Sequence, residues 1–331
     1  MAKLKFGAWI PTYAWSGGGS DPGNVERIRA CIEKCEEHGI DVWVIDHLLS
    51  APGLYGNAWL EPLGALAFAA ALTRTVKIAT GILVLPVRHP VVLAKEISTL
   101  CHLSGNRYLF GVGPGWYARE FEVTGSRIEE RGRRTDEIIE AVTLLLTRPN
   151  ASYRGKYYRF DDVTIEPRPP RMPEIWVSGG SRVPDPGEHD LPVIAPTVMT
   201  RIVKAGNWLS RCSGTQEWVK RDWLQLKQHA NEMGEDPGKL TFGHCNFIHL
   251  VEEASHEKAV EQSKAPFLRV MGAHRSYEHL QECYLIGSTD RINMRIEDLR
   301  TAGLEYLVLG PVTDDPKQID LMAKHVVQQF R

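Results

Sequence analysis

The stretch VKIATGILVLPVRHPVVLAKEISTLCHLSGNRYLFGV, residues 76–112, decides the fold. It opens on Val76–Leu85, a run rich in β-branched residues that reads as a strand buried on both faces. Pro90 then starts a helix that runs to His102, and Gly105 breaks it. Arg107–Val112 (RYLFGV) is again a compact apolar run. Strand, helix, strand within so few residues is one parallel crossover unit.

The same alternation extends in both directions. Upstream, Leu4–Ile10 reads as a first strand, and Asp21–Pro22 caps a helix that Gly39 ends after His38. Asp41–Asp46 (DVWVID) is a second strand and Pro62–Leu72 a helix. Downstream, a polar helix runs through Thr147 and Ile175–Val177 gives a fifth strand. Thr241–Val251 and Leu304–Leu309 (LEYLVL) are late strands, the latter preceded by a helix over Asp290–Thr301. Strands six and seven have no sharp signature. Tyr153–Glu166 alternates around Gly155 as a hairpin, and residues 182–196 (RVPDPGEHDLPVIAP) form a long aperiodic loop. The expected architecture is an α/β fold, a (β/α)₈ TIM barrel with insertions, over residues 1–331 as one unit with no dividing linker. A doubly wound sheet competes, but no GxGxxG turn follows the first strand.

Composition narrows the function classes. With 39 basic against 41 acidic side chains, there is no electrostatic footprint for nucleic acid or anionic membrane. The longest nearly apolar stretch, Pro62–Leu72, is far short of the roughly 20 residues a bilayer needs. The N-terminal MAKLKFGAWIP lacks the pattern of a signal peptide, so a cytoplasmic location is expected. The six cysteines include no CxxC pair and the twelve histidines no zinc spacing, so buried free thiols and no metal are expected.

In barrels of this kind the chemistry sits at the C-terminal strand ends. That rule selects Trp9, Tyr13 and Trp15 after strand one, as lining for a partly apolar substrate pocket or as core. It selects Asp46 and His47 after strand two: a carboxylate beside an imidazole for acid–base work, or a helix cap beside a structural histidine. His89, before Pro90, reads as a helix-entry residue. GVGPGWY (Gly111–Tyr117) could admit a flat ring against its backbone. In VSGGS (Val177–Ser181), the N–H groups could converge on an anion, or the segment could be an ordinary turn.

Residues 81–125, ERGRRTDE (Glu130–Glu137), the Tyr153–Pro170 segment, IWVSGGS and the ending GSTDRINMRIEDLRTAGLEYLVLGPV together resemble the luciferase-like monooxygenase family of flavin- and deazaflavin-dependent enzymes. The resemblance covers nearly the whole chain and implies a cofactor at the barrel mouth, with its phosphate near Ser178, Gly179, Gly180 and Ser181. It implies Thr80 and Gly81, with Gly113, Gly115 and Trp116, around the ring. Asp46 stands where the light-emitting members carry an active-site histidine, and many deazaflavin users carry an Asp-His pair like Asp46–His47. Two departures stand out. Pro114 replaces a phosphate-binding arginine, leaving Arg131 or Arg134 to neutralise the phosphate, and residues 182–196 intervene before Met199–Leu209, which matches a family helix and strand.

The activity so implied is oxidation of a small organic substrate with reduced FMN and molecular oxygen, His47 and Asp46 managing a proton. A separate flavin reductase and a homodimer or higher homo-oligomer are the implied partners. The alternative is coenzyme F-420-dependent hydride transfer. A non-catalytic flavin-binding protein is the third reading.

Overall fold

A computed structural model describes residues 3–12, 23–50, 59–182, 193–272 and 275–331. Eight parallel strands close into a barrel. They are β1 (Lys5–Trp9), β2 (Asp41–Val44), β3 (Ile78–Thr80), β4 (Tyr108–Gly113), β5 (Glu174–Gly179), β6 (Asn207–Ser210), β7 (Thr241–Ile248) and β8 (Tyr306–Pro311). Each pairs with the next in sequence, and β8 returns to β1 with Lys5 opposite Tyr306 and Ala8 opposite Leu309. The helices between them include α1 (Gly23–His38), α2 (Pro62–Leu72), α3 (Pro90–Leu103), α4 (Ala118–Val123) and α5 (Arg131–Thr147). Beyond β5 come α6 (Pro196–Ala205), α7 (Gln216–Glu232), α8 (His256–Met271), α9 (Tyr277–Cys283) and α10 (Thr289–Ala302).

Local chemistry sets these boundaries. Helix α2 starts where the Glu61 carboxylate accepts the Gly64 N–H at 2.7 Å and Pro62 takes the first turn. At α3 the His89 ring accepts the Val91 N–H at 3.3 Å, the helix-entry role expected of it. The antiparallel pair Ala151–Arg154 and Arg159–Val163 forms the hairpin. Strand six, NWLS, is too short and too polar at its ends to announce itself, which is why the sequence blurred it.

Two elements differ from expectation. The long strand over Val76–Leu85 divides at Gly81–Ile82, whose peptide is cis; only Leu83–Val84 pairs again, with Val112–Gly113. The polar helix to Thr147 is likewise interrupted: α4 ends at Val123, Gly125 takes φ 72°, and α5 begins at Arg131. The 183–192 part of the long loop, the Asp21–Pro22 cap, and Tyr13 and Trp15 lie outside the described residues.

The barrel interior is filled by aromatics facing glycines. Trp43, Trp176 and Tyr306 meet edge to face, with centroids 5.2 to 6.3 Å apart. A Cβ on Gly7 would lie 2.4 Å from Trp43, and one on Gly243 2.6 Å from Trp176. Large rings on some strands thus require bare backbone on others. The Trp43 indole donates to the Tyr306 hydroxyl at 3.1 Å, and that hydroxyl in turn donates to Asp41. This plug closes the lower barrel and leaves the open end for chemistry.

Candidate active site

A cavity of about 800 Å³, open mouth included, lies at the C-terminal strand ends. Trp9 from β1, His47 after β2, Gly81 after β3, Trp116 after β4, Ser178 from β5 and Arg211 after β6 all reach it. Phe247 and Cys245 from β7 complete its wall.

His47 is the best-positioned titratable group. It is buried, and its Nδ1 lies 3.1 Å from Oε1 of Glu120 on α4. The same carboxylate oxygen accepts the N–H groups of Leu48 at 2.7 Å and Leu49 at 3.2 Å. Burial opposes charge on Glu120, but the His47 hydrogen bond and those two N–H groups outweigh it and hold the carboxyl below its ordinary range. An ionised carboxylate only accepts, so Nδ1 is the ring nitrogen that donates to Glu120, and Nε2 is left for another partner. The imidazole stands between two indoles, Trp59 at 4.7 Å and Trp116 at 5.7 Å between centroids.

Asp46 does not face His47. Its carboxylate takes the Val84 N–H at 2.8 Å and the Arg88 guanidinium at 3.1 Å, and Arg88 also holds Glu61 at 3.0 Å. Burial pushes the Asp46 carboxyl up, and the Arg88 charge opposes that push. Both residues line the cavity, but each is held by a partner from another loop, so the pairing expected of Asp46 and His47 becomes two separate pairs. Asp46 fixes the loop after β3; Glu120 is the carboxylate that serves the imidazole.

The expected ring-side residues divide. Gly81, Gly115, Trp116 and Trp9 line the cavity. Thr80 is fully buried below it, its hydroxyl donating to the Gly111 carbonyl at 2.7 Å. At Gly113 an added Cβ would meet Ile82 at 2.8 Å, and at Gly115 it would meet Val84 at 2.5 Å. Gly113 thus gives way to a side chain of the protein itself, and Gly115 does so while lining the cavity.

The strand-five turn also differs from expectation. Ser178 lines the cavity, but a Cβ on Gly179 would meet Val198 of α6 at 2.5 Å. The Ser181 N–H and hydroxyl both donate to Asp222 of α7, at 2.5 and 2.8 Å, and Gly180 takes φ 135° beside that carboxylate. The anion cradle expected of Ser181 is filled by a side-chain carboxylate. Arg131 and Arg134 lie elsewhere: Arg131 donates to the Ile128 carbonyl at 2.9 Å, and Arg134 pairs with Glu130 at 2.9 Å and covers the Tyr157 ring at 4.4 Å. Arg211 and Ser213 line the cavity wall after β6.

Glu120, Arg211, Cys212, Ser213 and Cys245 escaped the sequence reading. Glu120 sits in AREFEV, which reads as an ordinary surface helix, and its partner is 73 residues away. Arg211, Cys212 and Ser213 follow strand six, which has no sharp signature, and Cys245 sits within the late strand over Thr241–Val251, where a cysteine reads as core. Among the described residues, no group of three His, Cys, Asp or Glu side chains could hold a metal ion. No helix among them is long and apolar enough to cross a membrane.

The residues present fit a flat ring with polar edges. The Trp9 indole N–H is buried with no acceptor among the described residues, 2.7 Å from where a Cβ on Gly81 would stand. It is a donor kept beside bare backbone at the cavity edge. A closed parallel barrel with a carboxylate-held imidazole in a cavity at its mouth has the arrangement of a barrel enzyme.

Residues 4–184 match the family model described as luciferase-like monooxygenase. The chain belongs to that family, whose members are flavin- or F420-dependent oxidoreductases, and is an enzyme of that kind. It is 33% identical over 326 residues to an F420-dependent glucose-6-phosphate dehydrogenase of Amycolatopsis mediterranei (strain U-32), covering 90% of this chain and 92% of that protein. It is 33% identical over 196 residues to an FMNH2-dependent dimethylsulfone monooxygenase of Pseudomonas fluorescens (strain Pf0-1), covering 54% and 51%. The chain thus spans about half the length of the FMNH2-dependent relatives it matches. The crystal structure of monooxygenase RslO1 from Streptomyces bottropensis superimposes with a TM-score of 0.81 at 23% identity, over 99% of this chain and 100% of that one. At that identity the likeness establishes the barrel fold alone.

Proposed function

We propose that this enzyme is an F420-dependent oxidoreductase that moves hydride to or from a small hydroxyl- or carbonyl-bearing molecule, with His47 as its acid–base group. The observation that carries this reading is the His47–Glu120 pair. A deazaflavin bound here supplies a two-electron centre that takes or gives hydride and does not depend on oxygen. Gly81, Ser178 and the Trp9 N–H would hold its ring and polar edge, with Arg211 and Ser213 on the wall of the same cavity.

The protein's own work is proton management. As an alcohol is oxidised, its O–H proton would go to His47 Nε2, and a deazaflavin held here would supply the hydride acceptor. Glu120 keeps Nδ1–H aimed and stabilises the imidazolium that forms. Trp59, Trp116 and Phe247 exclude water from that proton path. In the reverse direction, the imidazolium returns the proton to the carbonyl oxygen. The relative matched along most of both chains uses F420, which supports this order of preference over FMN.

Oxidation by reduced FMN and molecular oxygen is the second reading, supported by the half-length match to FMNH2-dependent monooxygenases. Titrating the purified protein with each cofactor, following indole fluorescence, separates the two. F420 should bind and be reduced by an alcohol substrate under strict anaerobiosis. Binding of reduced FMN, with product forming only when oxygen is admitted, would overturn the F420 assignment.

A further inference from the structure

The cavity wall after β6 and β7 carries two thiols that proton transfer at His47 does not use. Ser210, the last residue of β6, is opposite His244 of β7, so Cys212 lies just past the end of β6 and Cys245 lies in the neighbouring strand, and both line the cavity. Cys212 and Cys245 influence each other through their side chains, and all the cysteines are free thiols. The Cys245 S–H donates to the Ser210 carbonyl at 3.0 Å, two residues before Cys212.

We propose that Cys212 and Cys245 are an oxidisable dithiol on the cavity wall, which hydrogen peroxide converts to a disulfide.

The surroundings separate the two roles. The hydrogen bond from Cys245, with the charges of Arg211 and Arg275 adding to it, holds the Cys212 thiol below its ordinary range. The hydrogen bond with Cys212, together with burial, pushes Cys245 up. Cys212 is half-buried and reaches the cavity, so it is the attacking thiolate and Cys245 the resolving thiol. Cys31 and Cys35 are a built-in contrast. They lie one turn apart on α1, both are buried in the apolar core, and burial pushes Cys31 up to about 12. Proximity alone does not make that pair reactive.

The chemistry balances. The Cys212 thiolate attacks one peroxide oxygen, forming an S–O bond and breaking O–O, and hydroxide leaves. The Cys245 sulfur then attacks the sulfenic sulfur; S–S forms, S–O breaks, and the departing hydroxide leaves as water with the Cys245 proton. Two thiols lose two electrons and two protons, and one peroxide becomes two waters; dithiothreitol reverses the change. Reduced flavins release peroxide on meeting oxygen without substrate, but the proposal stands independently of which cofactor binds.

The test uses the full chain, treated with a few equivalents of hydrogen peroxide, then alkylated natively and mapped by mass spectrometry. A single Cys212–Cys245 disulfide, removed by dithiothreitol, is expected, with Cys31 and Cys35 alkylated only after denaturation. In Cys245→Ser, Cys212 should persist as a sulfenic acid that dimedone traps; in Cys212→Ser, Cys245 should stay unmodified. Cys283 donates to the Ser213 carbonyl at 3.6 Å and is the nearby competitor. A Cys212–Cys283 bond, oxidation of Cys31 and Cys35 first, or thiols left intact by excess peroxide would each overturn the proposal.

Discussion

His47 gives its Nδ1 to Glu120, 3.1 Å away, while the carboxylate beside it in sequence, Asp46, is held by Arg88. Each pair places a distinct demand on the site. If His47 is the acid–base group, His47→Ala should lower kcat by about 10²–10⁴ while leaving the unfolding transition in place. Glu120→Gln should cost less, since the amide oxygen can still accept from Nδ1 but brings no charge to the imidazolium. Steady-state kinetics on both variants check this. An unchanged rate in His47→Ala would remove His47 from the mechanism.

Arg88→Ala addresses the other pair. It strands a buried carboxylate whose remaining partner is the Val84 N–H. Losing one member of a buried ion pair costs about 3–5 kcal/mol, so urea unfolding should show a large loss. Asp46→Asn in the Arg88→Ala background should recover part of it, because the neutral amide no longer needs the guanidinium. Glu61→Ala should cost far less, since that carboxylate is more than half exposed, at 53%.

Trp9→Phe isolates the unpaired indole N–H. The ring packs on Phe247 with centroids 4.9 Å apart, a contact phenylalanine largely keeps. Stability should change little. Cofactor affinity should fall by the worth of one hydrogen bond, about 1 kcal/mol or roughly fivefold in Kd. Equal affinity in a fluorescence titration would place the cofactor edge elsewhere.

These pairs mark where sequence was informative. The barrel was legible because buried parallel strands read as apolar runs such as VKIATGILVL and LEYLVL, and helices announce their ends through Pro62, Pro90 and Gly105. His47 and Asp46 were legible as strand-end residues, but their partners were not. Glu120 and Arg88 arrive from other loops, and Asp222 fills the Ser181 turn from 41 residues further on. Sequence spacing reports which residues share a face of one element; it carries no information about which loops converge at the mouth.

Acid should destabilise the fold through His244. Burial lowers its pKa from 6.5 to about 3, and its ring lies 2.5 Å from the Ser210 hydroxyl and 3.1 Å from the Asn246 amide. A folded-state pKa below the unfolded one means the unfolded chain binds the proton first. The stability contribution is complete above pH 6.5 and is lost progressively as pH falls toward about 3. Urea midpoints measured at a series of pH values should therefore fall less steeply between pH 6.5 and 4 in His244→Gln than in the parent protein. Parallel slopes would mean that His244 does not carry this acid sensitivity.

Gly111 sets the tightest steric test of the barrel. A Cβ there would lie 1.8 Å from the Thr80 carbonyl oxygen, on the neighbouring strand β3. That oxygen is backbone, so it cannot swing aside as a flexible side chain would. Gly243 is only slightly more forgiving, at 2.6 Å from Trp176 and 2.8 Å from the Trp208 carbonyl. Gly105 has nothing within 4 Å of such a Cβ, and its φ of 63° is its one constraint. Gly105→Ala should thus cost about 1–2 kcal/mol, the strain of a left-handed residue. Gly243→Ala should reach or exceed the roughly 1–3 kcal/mol of core overpacking. Gly111→Ala should be the worst of the three, giving the lowest Tm or no soluble protein, because accepting the methyl group means separating β3 from β4 directly beneath the cavity. Thermal melts of the three variants order these effects; Gly111→Ala melting with or above Gly105→Ala would show that β3 and β4 can separate at little cost.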